Sequence, residues 1–486
     1  MDKPTFGDLL IRTASTHPKK IAIVENSHSI TYAKLLDNVK VFQSKLSNKI
    51  KAKQTVALFL PNSIDYVTSY FAASMLGATV FPIYWNSNGK EVSNLLKSLD
   101  VSVCITNEEG KNKLNSYKKI CVINYTEEED PDALHLHNIY NDESTLFLQT
   151  SGTTSSPKVV AHTYESIIKN IKAHVNSLDL KPKDVVLITL PMPFGYCNTS
   201  QLLAHIYLGS TIVLANNLRH PKTILRYIQA YKVTTVTVVP TILKTLSNLN
   251  INIFNKYSLK SLRYICFGGG SVSSRTIEII RTRFIDAQVV QTYGQTEAGP
   301  RITTKIINGE YSITNVGKPL EGVKVEIRNQ QGVPLLENEV GEIYVSSVSL
   351  MRGYVNNVSR LHNLTQQPTF LQTGDIGYLD QGGELHLLGR TNNIIKHKGI
   401  QVSPEEIEEV IKETACVDKV IVKGEEDELY GQIPVAYIML EDGFEYQDAL
   451  EEIRSHCHLN LSNHKIPRKL VIVDDLARTA NGKLRR

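Results

Sequence analysis

Hydroxyls, a glycine and a lysine crowd one short stretch, Thr150-Ser151-Gly152-Thr153-Thr154-Ser155-Ser156-Pro157-Lys158. Ser151, Thr153 and Thr154 supply hydroxyl donors, Gly152 permits close backbone approach, and Lys158 adds a charge, so the set can wrap a polyphosphate. It is not a Walker loop, because Lys158 lacks the glycine before it and the hydroxyl after it. A flexible Ser/Thr-rich turn has the same composition. A second stretch, Gln291-Thr292-Tyr293-Gly294-Gln295-Thr296-Glu297-Ala298-Gly299, follows the apolar Val289 and Val290. It reads as the loop leaving the carboxyl end of a buried strand, where open α/β sheets place their ligands. Gly294 lets a ligand come close, and Thr296 and Glu297 offer a hydroxyl and a hard oxygen for Mg²⁺. In Thr373-Gly374-Asp375-Ile376-Gly377-Tyr378 a carboxylate between glycines suits the hydroxyls of a ribose, or an ordinary Asx turn. Gly389-Arg390 and Asn481-Gly482-Lys483 bring two more cations.

Together these segments resemble the adenylate-forming superfamily, which holds acyl-CoA synthetases, nonribosomal peptide adenylation domains and firefly luciferase. The resemblance runs from about Thr31 to Lys483, with the motifs in family order. It implies that Ser151, Gly152, Thr153, Thr154 and Lys158 hold the β- and γ-phosphates of ATP. It also implies that Glu297 holds Mg²⁺, that Thr296 meets the α-phosphate, and that Asp375 binds the ribose with Arg390 beside it. Tyr293, Gly294 and the loop Gly268-Gly269-Gly270 would enclose adenine and the acyl chain. Lys483 would stabilise the adenylation transition state, although its position so near the end of this sequence would by itself suggest a fraying terminus. Three departures stand out: Ser155 and Val159 occupy positions where the family usually has glycine, and Asn392 stands at the usual hinge aspartate or lysine.

At 486 residues the chain is long enough for more than one domain and a large core. A net charge of +4, without a long basic run, gives no reason to expect nucleic acid as a partner. Six cysteines without CxxC spacing argue against a disulfide framework and a zinc site, and suggest a reducing compartment. No apolar signal core opens the chain and no stretch reaches the length of a membrane span, so a cytoplasmic protein is expected.

The elements that must position the motifs alternate. Thr31 caps a helix with Tyr32, Leu35, Leu36 and Val39 on one face. Apolar runs at 56–60, 101–105, 233–239 and 264–267 read as buried strands, with a helix carrying Ile64, Val67, Tyr70 and Phe71 between the first two. This predicts an α/β fold: a large N-terminal domain, 1–389, of layered, mostly parallel sheets with helices. A hinge at 390–393 and a small mobile α+β domain, 394–486, complete it. Ser403-Pro404-Glu405-Glu406 predicts a capping box opening a helix with Ile407, Val410 and Ile411 inside, followed by strands at 420–422 and 433–440.

Activation of a carboxylic acid is the chemistry such a site performs. A carboxylate is a poor electrophile until its oxygen attacks the α-phosphorus of ATP, giving an acyl-adenylate and pyrophosphate, a step that rewards charge neutralisation above acid–base catalysis. The acyl pocket would draw on Phe194, Tyr196, Asn198 and Cys266. No carboxylate follows Phe194 to pair with an ammonium, so an α-amino acid is disfavoured and a small to medium acid is expected. Lys398 and Gly399 resemble the border of a pantetheine tunnel, which serves coenzyme A and carrier-protein phosphopantetheine alike. An acid–CoA ligase is the leading expectation, followed by a free-standing enzyme that loads an acyl carrier protein. A luciferase-like oxygenase and a silent nucleotide-binding regulator are the readings outside ligase chemistry.

Overall fold

The computed structural model describes residues 5–114, 117–123, 131, 134–140, 145–150, 158–215, 220–355, 369–391, 393, 395–397, 400–427, 430–441 and 443–476. Among these, three sheets organise the chain, with 13, 7 and 5 strands. Half of the largest is parallel, in the spatial order Ile21–Glu25, Thr211–Leu214, Val185–Ile188, Thr235–Val238, Tyr264–Gly268 and Gln288–Tyr293. Its strands are apolar runs because helices cover both faces, as continuous burial of Val236, Ile265, Phe267, Val289 and Val290 confirms.

Beyond Gln288–Tyr293 the same sheet turns antiparallel, which the mostly parallel expectation did not include. Thr303–Ile306, Asn315–Pro319, Leu385–Arg390, Leu371–Leu379, Gly341–Ser347 and Val323–Arg328 follow one another antiparallel. Their alternation of buried and half-exposed residues, as in Val323–Arg328, is the pattern of a sheet with one face toward solvent. The second sheet runs Gly353–Tyr354, Val159–His162, Leu146–Gln149, Thr79–Pro82, Thr55–Phe59, Val103–Thr106 and Ile120–Val122. The two strands expected near 56–60 and 101–105 pair directly, and Thr79–Pro82, absent from the sequence reading, pairs parallel with Thr55–Phe59 on its other side.

The predicted helix caps form. Thr31 Oγ1 accepts from the Lys34 backbone N–H at 3.2 Å and opens the helix Tyr32–Ser47. Ser403 Oγ accepts from the Glu406 N–H at 3.2 Å and opens Pro404–Lys412. The expected capping box is only half made, because the Glu406 carboxylate pairs with Lys465 at 2.6 Å instead. Ile407 and Ile411 are fully buried, and two residues not expected there, Glu408 and Glu409, are largely buried as well.

That helix covers the third sheet, Ile400–Val402, Ile395–His397, Gly431–Leu440 and Val417–Asp427, with Lys469–Ile472 parallel to Gly431–Leu440. Its opposite side meets the large sheet. It packs against Leu385–Arg390, and Glu409 hydrogen-bonds Ser271, just after the triple glycine. Lys244 adds an ion pair to Asp418 at 3.9 Å. All six cysteines are free and buried. No helix among the described residues is long and apolar enough to cross a membrane.

Candidate active site

The carboxyl ends of Tyr264–Gly268 and Gln288–Tyr293 lie side by side, with Gly268 in register with Thr292. A Cβ on Gly268 would stand 2.5 Å from Thr292 Oγ1, so only glycine fits there. Gly294 is held as tightly, because a Cβ would meet the Pro300 carbonyl oxygen at 1.8 Å. Gly269, at φ +77°, has nothing within 4 Å of its Cβ position, so the loop borders open space.

Tyr293 leaves its strand aimed at Asp375. Its Oη donates to Asp375 Oδ2 at 2.6 Å, and Gln295 Nε2 donates to the same oxygen at 2.7 Å. Arg390 Nε reaches Oδ1 at 3.2 Å, since Asp375 and Arg390 are partners in the antiparallel ladder. Asp375 is only 6% exposed. Burial raises its carboxyl pKa above the ordinary value, against the opposing pull of Arg390, Tyr293 and Gln295. Three accepting sites of that carboxylate are occupied, of roughly four available.

Glu297 is fixed from the other sheet. Tyr354 Oη donates to Glu297 Oε1 at 2.9 Å, and the Met351 N–H donates to the Glu297 carbonyl at 2.8 Å. Lys158 Nζ lies 4.7 Å from the centroid of the Tyr354 ring. Thr296 is held by His162, whose Nε2–H donates to the Thr296 carbonyl at 2.8 Å. Burial lowers the His162 pKa to about 4, so the ring is neutral and carries its proton on Nε2. The Thr150 N–H donates to the Lys158 carbonyl at 2.9 Å, which pins together the two ends of 151–157. Val159 begins a buried strand, which gives the branched residue a place where glycine was expected.

Neither His162 nor Tyr354 was singled out in the sequence. Their role arises because Gly353–Tyr354 pairs antiparallel with Val159–His162 across nearly two hundred residues of chain. Among the described residues no cluster of three His, Cys, Asp or Glu could hold a metal. A magnesium ion here would therefore lean on Glu297, substrate phosphate oxygens and water, a combination Mg²⁺ favours. The Glu297 carboxylate suits that: one oxygen is bound by Tyr354, and the residue is part exposed.

The acyl candidates gather on the other side. Tyr196 Oη hydrogen-bonds Thr292 Oγ1 at 2.8 Å and would lie 3.1 Å from a Gly268 Cβ. Phe194 is half-buried, with its ring 5.1 Å from that of Tyr84. Cys266 and Asn198 are buried, the latter opening the π-helical turn Asn198–Leu203. Such turns are rare and often functional. Ser151, Gly152, Thr153, Thr154, Lys398, Gly399, Asn392 and Lys483 lie outside the described residues. Two further basic residues of the small unit are engaged within it, Lys465 with Glu406 and Arg468 with the Tyr430 ring at 5.2 Å.

Across Tyr354, Lys158 comes beside Glu297, and the strand that leads to Glu297 places Tyr293 on the buried Asp375. The family model of the AMP-binding enzymes matches residues 10–355, and that of the AMP-binding enzyme C-terminal domain matches residues 406–483. The chain belongs to the AMP-binding enzyme family. It is 30% identical to a 2-succinylbenzoate–CoA ligase of Listeria monocytogenes, over 96% of each chain. It is 29% identical to an oxalate–CoA ligase of Arabidopsis thaliana, over 100% of this chain and 98% of the other. The o-succinylbenzoate CoA synthetase of Bacillus subtilis, solved with its acyl-adenylate intermediate, superposes with a TM-score of 0.85 at 26% identity, covering 100% and 98% of the two chains. The same synthetase has been solved with ATP and a magnesium ion, with a TM-score of 0.83, 26% identity and coverage of 99% and 98%. The protein is an AMP-forming acid–thiol ligase of the acyl-CoA synthetase type: it activates a carboxylic acid with ATP to an acyl-adenylate and passes the acyl group to a thiol.

Proposed function

We propose that the carboxylate of a small to medium acid without an α-amino group attacks the α-phosphorus of ATP at the face framed by Lys158, Glu297 and Asp375. The Pα–O–Pβ bond breaks and pyrophosphate leaves. The thiolate of coenzyme A then attacks the acyl carbon, the bond to AMP breaks, and the thioester departs. The observation that carries this reading is the Lys158–Tyr354–Glu297 arrangement, which sets the last residue of the hydroxyl-rich loop beside a part-exposed carboxylate.

In this reading Ser151, Gly152, Thr153, Thr154 and Lys158 hold the β- and γ-phosphates, and Thr296 donates to the α-phosphate. Glu297 would hold Mg²⁺, which neutralises charge on the departing pyrophosphate. Asp375 anchors the ribose. Its one open accepting site suits one hydroxyl, and a second requires Tyr293 or Gln295 to release its bond. Lys483 stabilises the adenylation transition state. The unit 394–486 then turns about 390–393 to bring Lys398 and Gly399 to the thiol entrance. Six unpaired cysteines support a reducing, cytoplasmic setting.

Mass spectrometry of full-length enzyme with acid, ATP, Mg²⁺ and coenzyme A tests the reading. AMP and an acyl-CoA are the expected products. Appearance of ADP in place of AMP would reject it. Thioester on an acyl carrier protein but not on coenzyme A would move the acceptor to a carrier phosphopantetheine.

A further inference from the structure

Directly after the Glu297 loop stands a buried charge with no role in the steps above, Arg301. Arg301 is 2% exposed, and neither Nη1 nor Nη2 has a hydrogen-bond partner among the described residues. A buried guanidinium without a partner costs several kcal/mol, so such groups are ordinarily paired with an anion. Its backbone is locked in place: the Arg301 N–H donates to Asn170 Oδ1 at 3.2 Å, and Asn170 Nδ2 donates to the Arg301 carbonyl at 2.8 Å. The guanidinium carbon sits 5.1 Å from the centroid of the Tyr196 ring.

The neighbours place this charge at the acyl end. Arg301 acts electrostatically on Tyr196, Cys266 and His174. Tyr196 is the residue whose hydroxyl meets Thr292 beside Gly268. Asp375 and Tyr354, which mark the ribose and metal sides, feel Arg390 and Glu297 respectively, not Arg301. The surroundings are polar in composition yet buried. His174 packs near Ser200 of the π-helical turn, and the Gln201 amide of that turn, 1% exposed, also has no partner among the described residues.

We propose that Arg301 determines acid specificity, and that the acid activated here carries a second anionic group, a carboxylate, remote from the one that reacts. The reacting carboxylate must reach the phosphate side, near Glu297. The acyl body then passes the Gly268 strand end and Tyr196, and its far carboxylate meets the Arg301 fork, which can bind it bidentately. The inference rests on the ligase reading above.

Binding of non-reactive acyl-sulfamoyl adenosines to the full chain, followed by calorimetry, tests it without turnover. Matched pairs differ only in the distal carboxylate: succinyl against butyryl, glutaryl against pentanoyl, carboxybenzoylpropionyl against benzoylpropionyl. At least one diacid analogue is expected to bind about 10- to 100-fold tighter than its partner, the range of one charged hydrogen-bonded pair. In Arg301→Met that ratio collapses or reverses, and Arg301→Lys restores part of it. A misfolded variant would be exposed by its loss of ATP binding, and the wild-type ratios decide by themselves in that event. Monoacid analogues binding as tightly as every diacid would overturn the inference and leave the ligase standing. If no analogue of either kind binds, the ligase reading falls and takes the inference with it.

Discussion

Tyr354 and Glu297, fifty-seven residues apart, are joined by a 2.9 Å hydrogen bond from phenol to carboxylate, while the Tyr354 ring carries the Lys158 ammonium on its face. One tyrosine thus ties the end of the hydroxyl-rich loop to the acid of the following motif. Removing its hydroxyl in Tyr354→Phe frees Glu297 to rotate. The expected result is a roughly tenfold fall in exchange rate with a raised requirement for Mg²⁺, and a stability loss of about 1 kcal/mol. A magnesium titration of the reaction, set beside a denaturant melt, checks both.

Asp375 binds three donors at once, so Asp375→Asn should do more than weaken nucleotide binding. It leaves Arg390 without its charge partner and gives Tyr293 a poorer acceptor. ATP affinity should fall about 10- to 100-fold, the value of one or two charge-assisted bonds. Tyr293→Phe should cost less, because Asp375 keeps Gln295 and Arg390. Equilibrium binding of a non-hydrolysable ATP analogue to both variants ranks them.

The Thr296-Glu297 and Asp375 motifs stood out because each is a run of unusual residues in one place; the hydroxyl-rich loop stood out for the same reason, but 151–157 lie outside the described residues. His162, Tyr354 and Arg301 were not. The first two act only because a two-residue strand from 353–354 pairs beside 159–162, and neither run advertises that pairing. Arg301 follows the Glu297 motif and was open to view, yet a lone arginine signals nothing until its burial is known. The parallel half of the large sheet was readable from continuous apolar runs. The antiparallel half was missed because its strands alternate, and alternating half-buried segments do not say which neighbour they will find.

Among the described residues, three buried histidines whose pKa values are lowered set the acid limit of the fold. His162 and His205 are lowered to about 4 by burial, and His174 lies well below its ordinary value, also by burial first. Each folded-state pKa is depressed, so the neutral ring contributes stability above about pH 6.5, where the unfolded chain is also neutral. That contribution is lost as pH falls from 6.5 toward 4, at up to roughly 1.4 kcal/mol per pH unit for each histidine. Thermal melts from pH 7.5 to 4.5 should show a steep descent. His205→Gln should flatten it; an unchanged slope would reject the assignment for that residue.

Glu409 gives the contact between the helix Pro404–Lys412 and Ser271 a pH dependence of opposite sign. Burial raises its pKa to about 7, with Glu408 and Glu413 adding to the effect, while Ser271 and Lys412 oppose it. Tyr311, in the loop between Thr303–Ile306 and Asn315–Pro319, faces it. In the docked arrangement Glu409 keeps its proton to about pH 7, whereas undocked it would lose it near its ordinary value. Docking is therefore favoured at low pH and weakens as pH rises through 7. Energy transfer between dyes on the two units should fall across that window in the wild type and stay level in Glu409→Gln.

Acid-dependent exchange of labelled pyrophosphate into ATP, with wild type and Lys483→Ala side by side, separates an acid-activating ligase from a silent nucleotide binder. Exchange is expected to require both Mg²⁺ and a carboxylic acid lacking an α-amino group, and to fall by several orders of magnitude in the variant while ATP still binds. Measurable ATP binding with no exchange on any acid, or exchange undiminished in Lys483→Ala, would contradict the ligase reading.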